Sequence, residues 1–296
     1  MLRPYLFGLV KKQINTVMKI GIVGLGLIGG SLGIDLRTQG HEILGVSRQE
    51  STCLVAVEKG IVDRASTDLK LLSSADIIFV CTPIGAIIPT VKELVPYLNP
   101  NAIVTDVGSV KGAIANPGSQ LWANFVGGHP MAGKSEQGIH AAIPNLFQGA
   151  AYVLTPTTQT KPTAVEKLTQ IAQSLGSNTY ICSPEEHDRA VAWISHLPVM
   201  VSASLIAACL GEEDAKVLKL AQQLASSGFR DTSRVGGGNP ELGMMMAQYN
   251  HSELLRSLYQ YRHSLEVIIE IIEQENWGKL EQILKINQQT RPHFLN

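Results

Sequence analysis

The sequence predicts an α/β protein in two parts: a mainly parallel sheet domain with crossover helices, then a domain made only of helices. From residue 18 onward, short apolar runs alternate with stretches of helical periodicity, which is typical of parallel strands joined by helices. A glycine-rich turn, GLGLIGGS at 24–31, follows the first apolar run. After about residue 184 the pattern becomes helical, and no strand pattern returns.

The strands are predicted from short runs rich in apolar and β-branched residues. The early runs are nearly continuous, as expected for strands that helices cover on both faces. The predicted strands are 19–24, 41–47, 75–83, 102–109, 124–130, 151–156 and 178–184. Amphipathic stretches at 84–98 and 162–176 predict two of the crossover helices.

A helix start signal marks the change to the second domain. Ser183 suits the capping position, Pro184 the first helical position, and the two following glutamates the first turn. We therefore divide the chain into an N-terminal extension that the fold does not need (1–17), a sheet domain (18–183) and a helical domain (184–296).

One helical segment of the second domain, 191–211, carries no formal charge. About 20 apolar residues can span a membrane, but His196, Pro198 and three serines interrupt this segment, and charged residues flank it. These features favour a buried helix of a soluble protein. A helical domain of this size has little core in which to cover such a helix on all sides. We therefore expect a homodimer joined through the helical domain, and no membrane.

Composition excludes several classes of function. Of the 296 residues, 45% are hydrophobic and 17% charged, so the chain can bury a large core. The formal net charge of −1 gives no reason to expect a nucleic acid or an anionic membrane as partner. The four cysteines are scattered, and no cluster has metal-ligand spacing. We expect buried thiols in a reducing cytoplasm, and no metal.

The turn at 24–31 contains the motif GxGxxG, with Gly24, Gly26 and Gly29. The motif alone is weak and also fits a glycine-rich turn without a ligand; a preceding strand and a following helix strengthen it. Gly24 would permit the tight turn, Gly26 the approach of a pyrophosphate, and Gly29 close packing of helix on strand. Leu27 and Ile28, within the motif, are also expected to contact the dinucleotide.

The end of the second strand predicts the type of dinucleotide. An NAD site normally has an acidic residue there, bound to the ribose hydroxyls. Here Ser47 and Arg48 occupy that place, with Glu50 close by. A hydroxyl and a guanidinium suit a 2′-phosphate, so NADP is expected, although Arg48 also fits a plain surface arginine. Thr82 and Pro83, at the end of another strand, are expected cofactor contacts.

The remaining candidates lie at strand ends and in the helical domain. Ser109 follows one strand, and His129 lies at the carboxyl edge of the next, where open α/β sheets bind ligands. His196 interrupts the apolar helix, and Arg230 and Arg234 are expected in a loop between helices. Both histidines also fit core residues satisfied by backbone carbonyls, and Arg230 also fits a solvated or dimer-contact arginine.

Five motifs in order, GLGLIGGS, DVGSVK, GGHPMAG, SHLP and GFRDTSR, resemble the prephenate/arogenate dehydrogenase family of tyrosine biosynthesis. The resemblance runs from residue 18 to near the C-terminus and implies a Rossmann-type domain followed by a helical dimerisation domain. It implies a reaction in which hydride leaves C4 of a cyclohexadienol for NADP⁺, the C4 hydroxyl loses its proton, and carbon dioxide departs.

The resemblance also implies residue roles. His129 matches the base or hydrogen-bond acceptor for the C4 hydroxyl, and Ser109 matches the serine that orients it beside the nicotinamide. Arg234 matches an arginine that grips a substrate carboxylate, with Arg230 as a further candidate, and His196 matches a histidine that lines the substrate pocket. The glycines around His129 are expected to clear space for cofactor and substrate. The remaining histidines, expected to be surface or structural residues, are His41, His140, His187, His251, His263 and His293.

Two positions depart from prephenate-using relatives. Val199 stands where some carry a histidine after HLP, and Ser135 stands where some carry a glutamate. These changes, with the expected NADP preference, favour arogenate over prephenate. A 3-hydroxyacid dehydrogenase or imine reductase on the same plan is disfavoured, since such enzymes usually rely on a lysine or on substrate-positioning hydroxyls in the helical domain and no lysine lies in the corresponding central helix, 185–210. A non-catalytic NADP sensor would leave His129, His196 and Arg234 unexplained as a set.

Overall fold

The computed structural model describes residues 17–134 and 136–295. Most of the predicted N-terminal extension, and Ser135, lie outside the described residues. The strands are β1 (Lys19–Val23), β2 (Glu42–Val46), β3 (Arg64–Ser66), β4 (Ile77–Val80), β5 (Ile103–Asp106), β6 (Phe125–Pro130), β7 (Ala151–Thr155) and β8 (Asn178–Ile181). The α-helices are α1 (Leu27–Thr38), α2 (Glu50–Glu58), α3 (Ile84–Leu94), α4 (Gly112–Leu121), α5 (Pro162–Ser174), α6 (Pro184–Val191), α7 (Leu197–Leu210), α8 (Ala215–Leu224), α9 (Ser227–Ser233), α10 (Pro240–Tyr249), α11 (His251–Glu273) and α12 (Trp277–Thr290).

The strands form one eight-stranded sheet in the order β3-β2-β1-β4-β5-β6-β7-β8. Neighbouring strands in the described chain run parallel, except that β6 and β7 are antiparallel. The first six strands have the order of a Rossmann fold, in which the chain reverses direction beside β1 and leaves a crevice at the carboxyl ends of the strands. The fold class expected from the sequence is confirmed. The short strand β3 was missed because its three residues, RAS, have no apolar run.

Each face of the sheet carries its own apolar core. In β4, Ile77 and Phe79 belong to one core, whereas Ile78 and Val80 belong to the other. This alternation follows from the two-residue period of a strand. Both cores exclude water, which explains why β4 and β5 are buried at every position and why the early strands read as continuous apolar runs.

β6 extends beyond the end of its parallel neighbour. The pairing with β5 stops at Val126, but β6 continues because β7 pairs with it in antiparallel register, with His129 opposite Val153. His129 is therefore held in regular backbone at the carboxyl end of β5, with β7 on its other side. The antiparallel pairing with β7 therefore fixes the backbone of His129.

The glycines before His129 do not clear space for ligands, contrary to the expectation above. A Cβ atom at Gly127 would lie 2.3 Å from Thr155 Oγ1, and one at Gly128 would lie 2.6 Å from the backbone oxygen of Asp106. Both glycines are needed so that β6 can pack against its neighbours. Gly133, by contrast, has open space around its Cβ position.

After Ile181 the described residues contain helices and turns but no strand. Ser183 and Glu186 form the reciprocal hydrogen bonds of a capping box at the start of α6. Between α6 and α7 the helix widens into one π-helical turn, Ala192–His196. Pro198 at the second position of α7 removes a backbone donor, and such widened turns are frequent at functional sites.

The helical domain leaves apolar side chains exposed in the single chain. The segment Pro184–Leu210 is long and apolar enough to cross a membrane, but only 17% of its most apolar window is buried within the chain. On α8, Val217, Leu220 and Leu224 are exposed at a spacing that places them on one side of the helix. One chain alone therefore does not cover these surfaces.

Candidate active site

The glycine-rich turn has the geometry that a dinucleotide requires. Gly24 adopts φ +98°, and a Cβ there would lie 2.5 Å from the carbonyl oxygen of Cys81. A Cβ at Gly29 would lie 2.0 Å from the oxygen of Gly24, whereas nothing lies within 4 Å of the Cβ position of Gly26. Gly26 thus faces open space at the start of α1, whose first turn has no side-chain cap. Unpaired N–H groups of a helix N-terminus suit a pyrophosphate.

The end of β2 carries no carboxylate. Ser47 follows β2 directly, and its hydroxyl accepts a hydrogen bond of 3.4 Å from the backbone N–H of Gln49. Arg48 is exposed and makes no hydrogen bond or ion pair to another described residue. At the end of β4, Thr82 Oγ1 is buried without a hydrogen-bond partner, and Pro83 precedes α3. These side chains border the crevice at the carboxyl ends of the strands.

A buried ion pair organises the loop that carries Ser109. Lys111 Nζ donates to Asp106 Oδ2 and, over 2.7 Å, to the carbonyl oxygen of Gly128. Asp106 also accepts hydrogen bonds from the backbone N–H groups of Gly108 and Gly128. Both charged side chains are fully buried. The pair therefore ties the loop after β5 to the end of β6, and it fixes Ser109 relative to His129.

His129 is held through one ring nitrogen. Its Nδ1 lies 2.8 Å from Nε2 of His187, and the two rings meet edge to face. Nε2 of His129 has no hydrogen-bond partner among the described residues. Burial, followed by the nearby His187, Lys111 and His196, keeps the pKa of His129 well below its usual value of 6.5. The ring is therefore neutral near pH 7, and one of its nitrogens is free to accept a proton.

His196 reaches the same region from the helical domain. Its Nδ1 lies 3.0 Å from Asn250 Nδ2, while its Nε2 is buried without a hydrogen-bond partner. Burial lowers its pKa to about 4, although the Asp188 carboxylate and the nearby backbone of Ser109 oppose this shift. Ser109 Oγ is likewise buried without a partner. Buried polar atoms are normally paired, so these groups are suited to a ligand with several oxygen atoms.

The two arginines do not lie in a loop, contrary to expectation. Arg230 is within α9 and contacts Asp231 at 3.4 Å, with about three quarters of its side chain exposed. Arg234 ends the same helix and is exposed. Neither is a hydrogen-bond partner of His129 or His196. Two residues on, the N–H of Gly236 donates to Ser202 Oγ over 2.8 Å, which attaches the end of α9 to α7.

Sequence reasoning gave no site role to His187 or Asp188, and none to Lys111 at the end of the motif DVGSVK. His187, expected to be a surface or structural histidine, is 2% exposed and in contact with His129. A signal was present: Pro184, His187, Asp188 and Val191 form the buried face of α6 at the i, i+3, i+4, i+7 spacing of an apolar stripe. Two ionisable residues in the centre of such a stripe indicate a buried polar contact.

Comparisons with known proteins agree with this site. The family described as "Prephenate dehydrogenase, nucleotide-binding domain" matches residues 32–181, and "Prephenate dehydrogenase, dimerization domain" matches residues 183–286. The chain belongs to the prephenate dehydrogenase family. It is therefore an oxidoreductase with a nicotinamide cofactor and a small-molecule substrate, and the resemblance stated from the five motifs is confirmed.

Individual members of the family are similar over most of their length. Prephenate dehydrogenase of Bacillus subtilis (strain 168) is 31% identical over 89% of this chain and 72% of its own. The crystal structure of Synechocystis arogenate dehydrogenase is 59% identical, with a TM-score of 0.86, and the match covers 94% of this chain and all of that one. Prephenate dehydrogenase from A. aeolicus, in complex with hydroxyphenyl propionate and NAD⁺, is 27% identical over 94% of this chain and 99% of its own, with a TM-score of 0.89.

Proposed function

We propose that this chain is an NADP-dependent arogenate dehydrogenase, which oxidatively decarboxylates arogenate to tyrosine and acts as a homodimer. The observation that carries the proposal is the neutral His129 ring, which is fixed through Nδ1 and presents an unpaired Nε2 beside Ser109 and His196. A buried, neutral imidazole at the carboxyl edge of a Rossmann sheet is suited to take a proton from a substrate hydroxyl.

The cradle around Gly26 fits the pyrophosphate of a dinucleotide, because this glycine alone of the motif faces open space. The N–H groups at the start of α1 would bind the phosphates, together with the backbone of Leu27 and Ile28, and Thr82 and Pro83 would line the opposite wall. When bound, the oxidised nicotinamide accepts the hydride. The contribution of the protein is to hold substrate and base at the end of β6.

The choice of NADP rests on Ser47 and Arg48. No carboxylate follows β2, so a 2′-phosphate would meet no like charge there. Arg48 is exposed and has no ion-pair partner in the described structure, so its guanidinium is free to form bidentate hydrogen bonds with a phosphate. Ser47 and Arg48 are consecutive residues, so both can contact the same phosphate group.

His129 would take the proton of the C4 hydroxyl as hydride leaves the same carbon. The O–H bond breaks, its electron pair forms the carbonyl, and Nε2 becomes protonated. When carbon dioxide leaves C1, the electron pair of the broken C–C bond enters the ring and the C4 carbonyl becomes a phenolate oxygen. This oxygen takes the proton back from Nε2, so the ring is aromatic and His129 is neutral again. His196 and Ser109, each with a buried unpaired polar atom, would hydrogen-bond the substrate. Arg234 would bind a carboxylate of the substrate. Its segment is attached to α7 by the hydrogen bond between Gly236 and Ser202. Ser202 lies six residues after His196, or about 9 Å along the helix at 1.5 Å per residue.

Arogenate is favoured over prephenate by two observations. Val199 places an apolar side chain one turn after His196, where some prephenate-using relatives have a histidine. The Synechocystis structure, at 59% identity over all of its length, is described as an arogenate dehydrogenase. The two substrates differ only at the side chain, an ammonium in arogenate and a keto group in prephenate, so a change of polarity beside the substrate side chain decides between them.

A homodimer explains the exposed apolar faces of the helical domain. The matched family segment is described as a dimerization domain, and the exposed stripe on α8 places Val217, Leu220 and Leu224 together. A second copy would bury this stripe and the apolar side of α7, which otherwise has the composition of a membrane span. Sedimentation equilibrium of the detergent-free protein should give a dimer at micromolar concentration. Leu224→Glu should shift it toward monomer, while Gln222→Glu on the same helix should not.

The direct test is turnover of arogenate and prephenate with NADP⁺ and NAD⁺, followed by the absorbance of the reduced cofactor. We expect the highest kcat/KM for arogenate with NADP⁺. His129→Asn should lower kcat about 10²- to 10⁴-fold, the usual contribution of a general base, and leave NADP⁺ binding intact. His140→Gln, an exposed histidine, is the matched control. Higher kcat/KM for prephenate would establish the alternative, a prephenate dehydrogenase, and collapse of NADP⁺ binding in His129→Asn would remove His129 from the chemistry.

Cofactor choice has its own test. Arg48→Ala removes charge-assisted hydrogen bonds worth about 1.5–3 kcal/mol, so the Kd of NADP⁺ should rise about 10- to 150-fold while that of NAD⁺ changes little. Arg64→Ala, which removes an exposed arginine at the start of β3, should alter neither constant. An equal rise for both cofactors in Arg48→Ala would contradict recognition of a 2′-phosphate.

A further inference from the structure

A chain of three side chains leads from the helical domain to His129. Asp188 Oδ1 lies 2.8 Å from Nδ1 of His187, and Nε2 of His187 lies 2.8 Å from Nδ1 of His129. His187 is 2% exposed, Asp188 6% and His129 8%, so water does not compete for these contacts. Asp188 and His187 both lie on α6, whereas His129 is the penultimate residue of β6, so this chain of side chains crosses the boundary between the two domains.

The carboxylate at one end is fixed by the backbone of the sheet domain. Asp188 Oδ1 accepts from the N–H of Lys111 over 2.7 Å, and Oδ2 accepts from the N–H of Gly112 over 2.8 Å. These groups open α4, where a negative charge is stabilised by the helix dipole. Asn250 Nδ2 also donates to the backbone oxygen of Asp188. Both carboxylate oxygens of Asp188 therefore act as hydrogen-bond acceptors.

With both imidazole rings neutral, this arrangement determines the position of each proton. Because Asp188 accepts, Nδ1 of His187 must carry its proton, and in a neutral ring Nε2 of His187 is then an acceptor. Nδ1 of His129 must therefore donate to it. The lone pair of His129 is left on Nε2, the nitrogen without a partner. The reverse tautomer of His129 would place two bare nitrogens against each other at 2.8 Å and leave no acceptor for a substrate proton.

We propose that His187 and Asp188 are positioning residues that hold His129 in the tautomer with Nδ1 protonated and Nε2 bare, ready to accept the proton of the substrate hydroxyl. The inference rests on the proposed function of His129 as base. During turnover one proton moves from the substrate oxygen to Nε2, and none needs to move along the chain. After protonation the Nδ1–H bond to His187 remains, so the ring keeps its orientation while it is charged.

The tautomer is measured directly by nitrogen-15 NMR of the full-length protein with labelled histidine, because the chemical shifts of protonated and bare ring nitrogens differ. The His129 signals are identified by their loss in His129→Asn. We expect Nδ1 protonated and Nε2 bare in the wild type. His187→Leu removes the acceptor and should give a mixture of tautomers. A wild-type ring with its proton on Nε2, or an unchanged ring in His187→Leu, would overturn the proposal.

Kinetics supply a second readout that a merely structural role would not give. His187→Leu should lower kcat about 10- to 100-fold, less than the loss of the base itself, with little change in KM for either substrate. His187→Gln can present its side-chain oxygen near the place of Nε2 and should recover much of the loss. His140→Gln should match the wild type. Equal losses in the Leu and Gln variants would refute a role in fixing the tautomer.

Failure of the proposed function is distinguishable from failure of this inference. If the wild type turns over neither dienol, the function is wrong, but the nitrogen shifts of wild-type His129 still decide the tautomer. If His187→Leu does not fold, the wild-type spectrum and His187→Gln remain decisive: the Gln variant should keep the proton on Nδ1. Loss of that preference in a folded Gln variant that keeps full kcat would contradict the proposal.

Discussion

Gly26 and Gly29 belong to one motif, but they are glycine for different reasons. Gly29 is packed against the backbone, whereas Gly26 faces open space where a ligand would lie. Substitution of each by alanine tests this difference. Gly29→Ala would place a methyl group 2.0 Å from the carbonyl oxygen of Gly24, which is backbone and has little freedom to move. Gly26→Ala meets nothing within 4 Å, and the backbone of Gly26 is extended, with φ −97°, so it lies outside the left-handed region that favours glycine. The first change should damage the fold, and the second should damage only the ligand site.

The expected magnitudes follow from these distances. Overpacking a rigid site costs about 1–3 kcal/mol and sometimes more, and a contact as short as that at Gly29 should reach the upper end. For a domain of this size each kcal/mol lowers Tm by about 2–4 °C, so Gly29→Ala should melt roughly 6–12 °C lower. Gly26→Ala should change Tm of the free protein by less than about 2 °C. Its methyl group would occupy space near the pyrophosphate, which at about 1–3 kcal/mol raises the Kd of NADP⁺ about 5- to 150-fold.

Thermal unfolding with and without NADP⁺, together with calorimetric titration, measures both quantities. The wild type should gain Tm on addition of NADP⁺, because a ligand that binds only the folded state stabilises it. Gly26→Ala should keep the Tm of the free protein and lose most of this gain. If Gly26→Ala binds NADP⁺ with unchanged Kd, the pyrophosphate does not lie at the start of α1 and the cradle is misassigned. If Gly29→Ala has the same Tm as the wild type, the close packing of α1 on β1 is not the reason for a glycine at this position.

Three further predictions concern the buried charges. Lys111→Met leaves Asp106 without its partner and should lower the free energy of unfolding by about 3–5 kcal/mol in denaturant titration, whereas Lys285→Met, which breaks an exposed pair, should have little effect. The pKa of His196 is 6.5 in the unfolded chain but about 4 in the folded one. Its contribution to stability is therefore complete above pH 6.5 and is lost as the pH falls toward 4. The loss of folding free energy, on the order of 3 kcal/mol, should be absent from His196→Asn in denaturant titrations at several pH values. Asp188→Ala removes the acceptor for two N–H groups at the start of α4 and should lower the free energy of unfolding by about 1–3 kcal/mol for each donor left unpaired. An unchanged Tm would contradict that capping role.

The sequence was sufficient for the sheet and for the cofactor cradle because both depend on local patterns. Apolar runs with a period of two identify strands, and the spacing of three glycines identifies the turn. The expected strand at 75–83 formed as Ile77–Val80, shorter at both ends, since the residues around it turn into loops that carry Thr82 and Pro83. β3 could not be found by the same rule, because Arg64–Ser66 joins the sheet only through its pairing with β2.

The network around His129 could not be read from local patterns, because its members are distant along the chain. Asp188 binds the backbone of Lys111 and Gly112, 77 and 76 residues away, and no residue spacing encodes such contacts. The role of the glycines in GGHP was misread for the same reason. Their neighbours, Thr155 and Asp106, belong to strands that become adjacent only in the folded sheet.

Asp188, His187 and His129 connect the proposed base, His129, to the arrangement of the domains. Asp188 accepts both of its backbone hydrogen bonds from the sheet domain, but it belongs to α6 of the helical domain. If the domains separated, two N–H groups at the start of α4 would lose their acceptor, and Nδ1 of His129 would lose His187. Unpaired buried donors cost about 1–3 kcal/mol each, so the closed arrangement of the domains is favoured by the contacts that prepare the base. It follows that a substitution which loosens α6, even one remote from the substrate, should reduce kcat through His129 before it reduces binding of the cofactor.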